Sequence, residues 1–251
     1  MMHFPAREGT PSGSGSPRFR PRGLPAGRRL MRTPSPPASA RRTVTLVAIA
    51  GGSGSGKTWL ATALRRRLRG SAALLSIDDF YRDLSHLPPA RRARVNFDSP
   101  AAIDWVAFES ALRAIADGGA PELPLYDFSR HTRAGQVRRW QPRGIVIIEG
   151  LWPWVRSRLR GLFALRLDRA AETELRFARR LRRDVRERGR QPADITRQWR
   201  EQVEPMFTRH VVPQLRHAHA VLGTKLTASE INRWARRIRE LHRGNSGRGK
   251  S

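Results

Sequence analysis

The chain has 251 residues, a formal net charge of +28 and no cysteine. This length suits one sizeable domain or two small ones. The lack of cysteine excludes disulfides, zinc–thiolate sites and cysteine nucleophiles. No apolar run reaches the roughly 18 residues that a bilayer-spanning helix needs, so no membrane partner is expected. Chemistry falls to hydroxyls, carboxylates, His, Arg, Lys and a hard metal ion.

Residues 1–42 carry nine Arg and one Glu among Gly, Pro and Ser. Such a segment buries too little apolar surface to offset its ordering entropy, which predicts a disordered basic tail. An Arg-rich, acid-poor leader has the composition of an organellar transit peptide, but its prolines forbid a long amphipathic helix and it has no secretory apolar stretch. A surface this basic attracts polyanions. The chain, however, uses 46 Arg against three Lys, so a general preference for Arg explains most of the charge. Nucleic-acid binding is expected to be weak and confined to the tail.

From Thr43 onward, strand and helix patterns alternate. Apolar, β-branched runs at 43–50, 72–77, 144–149, 162–168 and, weakly, 219–222 predict strands. Helical periodicity appears at 57–68, 105–116, 171–188, 194–203 and 228–242, the last opening on a capping box, Thr227 to Glu230. Strands without polar alternation, interleaved with helices, predict a parallel sheet buried on both faces. Segments 121–128 and 137–141 interrupt the alternation and predict a small antiparallel flap. In 171–188 the stripe Leu175, Ala178, Leu181 and Val185 predicts the buried face, with several arginines solvated. The domain is expected to span 43–242, with residues 243–251 as a flexible end.

The sharpest signal is Gly51-Gly52-Ser53-Gly54-Ser55-Gly56-Lys57-Thr58, placed after one strand and before a helix. It fits G-x-x-x-x-G-K-[ST], in which glycines let successive N–H groups curl around phosphate oxygens at a helix N-terminus. Lys57 would reach the transferring phosphate and the Thr58 hydroxyl would bind Mg²⁺. In a chain that prefers Arg so strongly, a Lys at this position points to a cradle too narrow for a guanidinium. In open parallel sheets, ligands lie at the carboxyl ends of strands. Asp78-Asp79 and Glu149 end two of the apolar strands. One such carboxylate can help hold Mg²⁺ and another can accept a proton from an attacking hydroxyl. Asp79 also suits a helix cap.

Seven blocks in order, GGSGSGKT, DDFY (78–81), NFDSPAAID (96–104), PLYDFSRHTR (124–133), IVIIEG (145–150), RRLRRDVRERGR (179–190) and VEPMF (203–207), resemble the uridine kinase family over roughly residues 43–222. The resemblance implies a P-loop α/β fold with an Arg-rich helical lid. It also implies cytoplasmic 5′-phosphorylation of uridine or cytidine in pyrimidine salvage, with ATP or GTP as donor and Mg²⁺. Asp78 matches the family's catalytic carboxylate, and Asp78, Thr58 and Glu149 match its magnesium site. Asp98 matches the contact to the ribose hydroxyls, and Tyr126 and His131 the grip on the pyrimidine. Arg180, Arg190 and Gln198 are assigned to the substrate pocket, Arg183 and Arg188 to the ATP phosphates. The resemblance further implies homo-oligomers, although no segment reads as an interface. The chain departs from the family pattern at Asp79 (usually Ser), Ser99 (usually His), Trp199 (usually Tyr) and HAHAVL at 217–222. The segment EGLWP (149–153) is similar to phosphoribulokinase, a relative acting on a sugar phosphate. The alternative readings are a related P-loop kinase for another small alcohol (a sugar phosphate, pantothenate or nicotinamide riboside) and a nucleotide-regulated nucleic-acid-binding protein.

Overall fold

A computed structural model describes residues 44–92 and 94–248. The expected basic tail, 1–42, lies outside the described residues, as do the last three residues. Seven strands, β1 Thr45–Ala50, β2 Ala72–Ser76, β3 Glu122–Asp127, β4 Thr132–Arg139, β5 Ile145–Gly150, β6 Phe163–Arg169 and β7 Ala220–Leu222, alternate with helices. The helices are α1 Lys57–Arg67, α2 Pro89–Arg92, α3 Trp105–Ala116, α4 Thr173–Arg188, α5 Pro192–Gln198, α6 Glu204–Met206 and α7 Ala228–Arg248.

Five strands form one parallel sheet in the order β2-β5-β1-β6-β7. All six residues of β1 and of β5 are buried, as strands covered on both faces must be. Alternate side chains of β1 serve two cores. Leu46, Ala48 and Ala50 pack with Phe80, Phe108, Leu112 and Trp152 on the α3 side. Val47 and Ile49 pack with Leu60, Leu64, Ile231 and Ile238, from α1 and α7, on the other. The expected flap is present as the antiparallel pair β3–β4. It is tied to the body by Arg133, whose N–H donates to Asp83 Oδ1 (2.9 Å), Nε to Tyr81 O (3.2 Å) and Nη2 to Asp104 Oδ2 (3.0 Å).

Three expectations need correction. The last helix does not end near residue 242 but runs to Arg248. The Thr227–Glu230 capping box starts it, with Thr227 N–H to Glu230 Oε2 at 2.8 Å and Glu230 N–H to Thr227 Oγ1 at 3.2 Å. Its far end is held because His242 Nδ1 (3.1 Å) and Asn245 Nδ2 (3.3 Å) both reach Thr45 Oγ1 at the start of β1.

The helix expected at 194–203 is part of a longer helical run from Pro192 to His217. Pro205 and Pro213 lie inside it without N–H donors, and its hydrogen bonds widen to i→i−5 at Glu204→Trp199 and Val212→Phe207. Such wide turns are rare and occur mostly as single-turn bulges inside helices.

The third correction concerns α4, whose buried residues are Arg176, Arg180 and Asp184. Ala178 and Val185, placed on the buried stripe by hydropathy, are exposed. The charged face turns inward because carboxylates await it there.

Candidate active site

The loop 51–56 joins β1 to α1. Ser55 N–H bonds Gly52 O (3.1 Å), and Leu60 N–H to Gly56 O (3.0 Å) is the first bond of the helix. The amides of Lys57, Thr58 and Trp59 therefore lie in the first turn without intrahelical acceptors. Gly54 has φ 78°, and a Cβ there would lie 2.2 Å from Arg176 O, so loop and α4 can approach only with glycine at this position. Lys57 Nζ stands 3.5 Å from Gly52 O, folded over the loop.

Thr58 Oγ1 donates to Glu149 Oε2 (3.2 Å), and Ser76 Oγ donates to Glu149 Oε1 (3.1 Å). These contacts gather the ends of β2, β5 and the phosphate loop. Ser76 also caps the short turn that carries Asp78, accepting from its N–H at 3.3 Å. Burial raises the Asp78 carboxyl above the ordinary range, with the Lys57 charge opposing and Asp98 adding to the rise. Burial likewise raises Glu149, and pushes Asp168, at the end of β6, up to about 6 against the pull of Lys57. Among the described residues, no group of three or more His, Asp or Glu is gathered for a metal. The hard-oxygen pair of Thr58 and Glu149, with Asp78, still fits Mg²⁺, which takes many of its ligands from phosphates and water.

A cavity of about 820 Å³ opens in front of Asp78. Of the residues expected at the acceptor, Asp98, Tyr126, His131, Arg180, Arg190 and Gln198 all line it, together with Arg188. Local bonds aim each group. Asn96 Oδ1 accepts from Asp98 N–H (3.0 Å), turning the chain so that Asp98 faces in. Asp127 Oδ1 accepts from the N–H groups of Ser129 (2.8 Å) and Arg130 (3.1 Å), which closes the flap turn before His131. His131 lies at φ 55° with its ring stacked on Phe97 at 4.5 Å. Burial and the nearby Arg188 and Arg190 lower its pKa. Burial raises the Tyr126 phenol to about 12, and its Oη has no partner.

Arg180 joins the two halves of the site. Nη1 donates to Ser53 Oγ (2.9 Å) in the phosphate loop and to Asp98 Oδ1 (3.2 Å), while Nη2 donates to Gln198 Oε1 (2.9 Å). Arg190 Nη1 shares that Gln198 oxygen at 2.8 Å, and Gly189, at φ 61°, ends α4 so that Arg190 can swing back. Arg183 and Arg188, expected at phosphates, both reach Asp184 Oδ1, at 2.9 and 3.5 Å.

The fully buried Asp184 therefore organises the lid, with Arg190 at 3.3 Å and Arg180 at 3.6 Å on its other oxygen. Sequence reasoning missed it. It also missed Arg176, buried between the rings of Trp199 (5.2 Å) and Phe207 (3.8 Å) and paired with Glu204 at 2.9 Å. Tyr81, Phe97, Phe128, Ser129 and Glu187 complete the cavity wall, and DDFY and NFD place Tyr81 and Phe97 beside named carboxylates. Buried Ser55 Oγ, Asp78 Oδ1, Asp168 Oδ2, Arg169 Nε and Arg176 Nη1 have no partner. Orphan polar atoms are costly unless a ligand completes them, and these surround one phosphate loop.

Residues 46–229 match the model of the phosphoribulokinase/uridine kinase family. The chain belongs to that family. It is a family kinase, and as such takes its phosphate from a nucleotide donor. A uridine kinase of Deinococcus deserti is 37% identical over 178 residues, covering 70% of this chain and 86% of the relative. One of Chloroflexus aggregans is 38% identical over 177 residues, covering 70% and 85%. A phosphoribulokinase of Rhodobacter spheroides superposes with a TM-score of 0.53 at 19% identity, over 72% of this chain and 70% of that one, a likeness of fold. The resemblance on which the site residues rest is thus one of family. No helix among the described residues of this family kinase is long and apolar enough to cross a membrane.

Proposed function

We propose that this kinase transfers the γ-phosphate of ATP to the 5′-hydroxyl of uridine or cytidine, giving UMP or CMP. The observation that carries this reading is Asp78. It is half-buried and proton-seeking, has a free Oδ1, and fronts a cavity walled by the stacked pair Phe97–His131 and by Asp98. A pyrimidine suits the aromatic wall, with Tyr126 and His131 as polar handles, and ribose hydroxyls suit the Asp98 carboxylate. The raised basicity of Asp78 lets it accept the 5′-hydroxyl proton as that oxygen attacks the γ-phosphorus. The bond from the γ-phosphorus to its bridging oxygen breaks, and ADP leaves. The loop amides and Lys57 hold the β- and γ-phosphates, and Arg183 and Arg188 screen the charge that develops there. When bound, Mg²⁺ held by Thr58, Glu149 and Asp78 would neutralise phosphate charge.

GTP is a second candidate donor. On this reading the chain serves pyrimidine salvage in the cytoplasm as a homo-oligomer. A coupled ADP-release assay over a panel of acceptors tests it: uridine, cytidine, a pentose phosphate, pantothenate and nicotinamide riboside. Turnover with uridine or cytidine is expected to exceed the others by at least about tenfold. Turnover of another alcohol with none of either nucleoside would overturn the assignment.

A further inference from the structure

On the side of the phosphate loop away from the cavity, Trp59 stands at the start of α1, one residue past Thr58, with 53% of its surface exposed. Among the described residues the exposed aromatics are Trp59 and Phe128, and Phe128 lines the acceptor cavity. The guanidinium of Arg169 lies over the indole, 6.0 Å from the ring centroid. Arg169 ends β6 and is buried. Its Nη1 donates to Leu222 O (3.4 Å) and its Nη2 to Thr224 O (2.7 Å), which fixes it against the strand and loop at the sheet edge. Its Nε has no partner, and a Cβ built on Gly56 would lie 3.8 Å from it. Arg179 Nη1 stands on the same glycine and donates to Gly54 O and Ser55 O, both at 3.3 Å.

The sheet order fixes the direction. The phosphate loop follows the central strand β1, and Asp78 follows the edge strand β2, two places to one side. A nucleotide whose last phosphate points to Asp78 must run the rest of its length the other way, toward β6 and β7. There it meets the unbonded first-turn amides, the orphan Nε of Arg169 and then the exposed indole. We infer that Trp59, backed by Arg169, is the stacking surface for the base of the phosphate donor. The indole favours a purine over a pyrimidine, because a bicyclic base overlaps more of it.

The inference rests on the nucleotide-donor reading, and the experiment separates the two. ATP, CTP and inorganic tripolyphosphate are titrated calorimetrically into the full chain and into W59A and W59F, with acceptor KM measured in parallel. A base stacked on one aromatic ring is worth roughly tenfold in affinity. W59A should therefore bind ATP about tenfold more weakly, with tripolyphosphate affinity and acceptor KM unchanged. W59F should recover most of the loss, and the preference for ATP over CTP should narrow in W59A. Because Trp59 is a surface side chain, the variant keeps both cores intact. Equal ATP affinity in W59A and the native chain would overturn the inference, as would a matching loss for tripolyphosphate. If the native chain bound neither ATP nor tripolyphosphate, the donor reading itself would fall and the stacking surface with it.

Discussion

Strand β1 and helix α4 are both well packed, and they bury opposite kinds of residue. Every side chain of β1 is enclosed and none is charged. Helix α4 encloses Arg176, Arg180 and Asp184 and leaves Ala178 and Val185 in solvent. The strand is held by the removal of apolar surface from water, worth about 25 cal/mol per Å² and insensitive to charge. The helix is held by ion pairs, in which loss of hydration consumes most of the Coulomb attraction. A layer stabilised in the first way is rigid. A layer stabilised in the second separates at modest cost, because its guanidiniums and carboxylates recover water when they part. That difference suits α4 to cover a phosphate loop and release it, and suits β1 to hold the loop in place.

The largest test of the contrast concerns the residue facing both layers. Asp78→Asn should lower kcat by roughly two to four decades, with ATP affinity little changed, in steady-state assays. The same variant should melt no lower than the native chain at pH 7. The folded-state pKa of Asp78 is raised, so its ionised form opposes folding. Any stabilisation it gives is present below about pH 3.9 and is lost as pH rises through the folded pKa. Unchanged turnover would remove Asp78 from the role of base, and a large drop in Tm would make it a structural residue.

Next come matched truncations in the two layers. Ile148→Ala in β5, at a position with no exposed surface, should cost about 2–5 kcal/mol in denaturant unfolding. Activity per folded molecule should be nearly intact. Arg180→Met should cost about 3 kcal/mol, because Asp98 is left buried without its cation. It should also raise the acceptor KM at least about tenfold, a loss that the strand variant does not share. If both variants lost stability alone, the contrast between an apolar scaffold and an ionic lid would be wrong.

The apolar layer was legible in the residues and the ionic one only partly so. Continuous runs such as TLVAIA read directly as enclosed strands, and GSGSGKT read as a loop because Gly54 and Gly56 take positive φ, whereas the crowding of Gly52 by Arg176 and Phe207 was not legible locally. Asp78 and Glu149 were legible because apolar runs finish beside them, Glu149 near the end of β5 and Asp78 in the turn that follows β2. Helix α4 was misread because hydropathy assumes that the apolar stripe goes inside. Its real partners, Asp98 and Glu204, lie 82 and 28 residues away from Arg180 and Arg176, and no local pattern reveals such pairs. The length of α7 was hidden for the same reason: Asn245 is held by Thr45, 200 residues earlier. The helical run past Pro205 broke the rule that proline ends a helix, since wide i→i−5 turns absorb the missing donor.

The smallest expected effect lies where the scaffold meets the flap. Asp79 follows Asp78 in the short turn after β2. Burial pushes its carboxyl up to about 6, with Arg138 of the flap opposing and the charge of Asp78 reinforcing the rise. Repulsion between the two carboxylates is mutual, so removing one must ease ionisation of the other. Asp79→Ser should therefore move the acid limb of the kcat/KM profile to lower pH, by less than about one unit, and leave the plateau unchanged. The stability contribution of Asp79 is present below about pH 3.9 and is lost as pH rises through about 6. The serine variant should accordingly gain Tm over the native chain at pH 8 and less, or none, at pH 5. An acid limb that stays in place would show that Arg138 already screens the pair fully. The flap would then be part of the ionic layer rather than an extension of the scaffold.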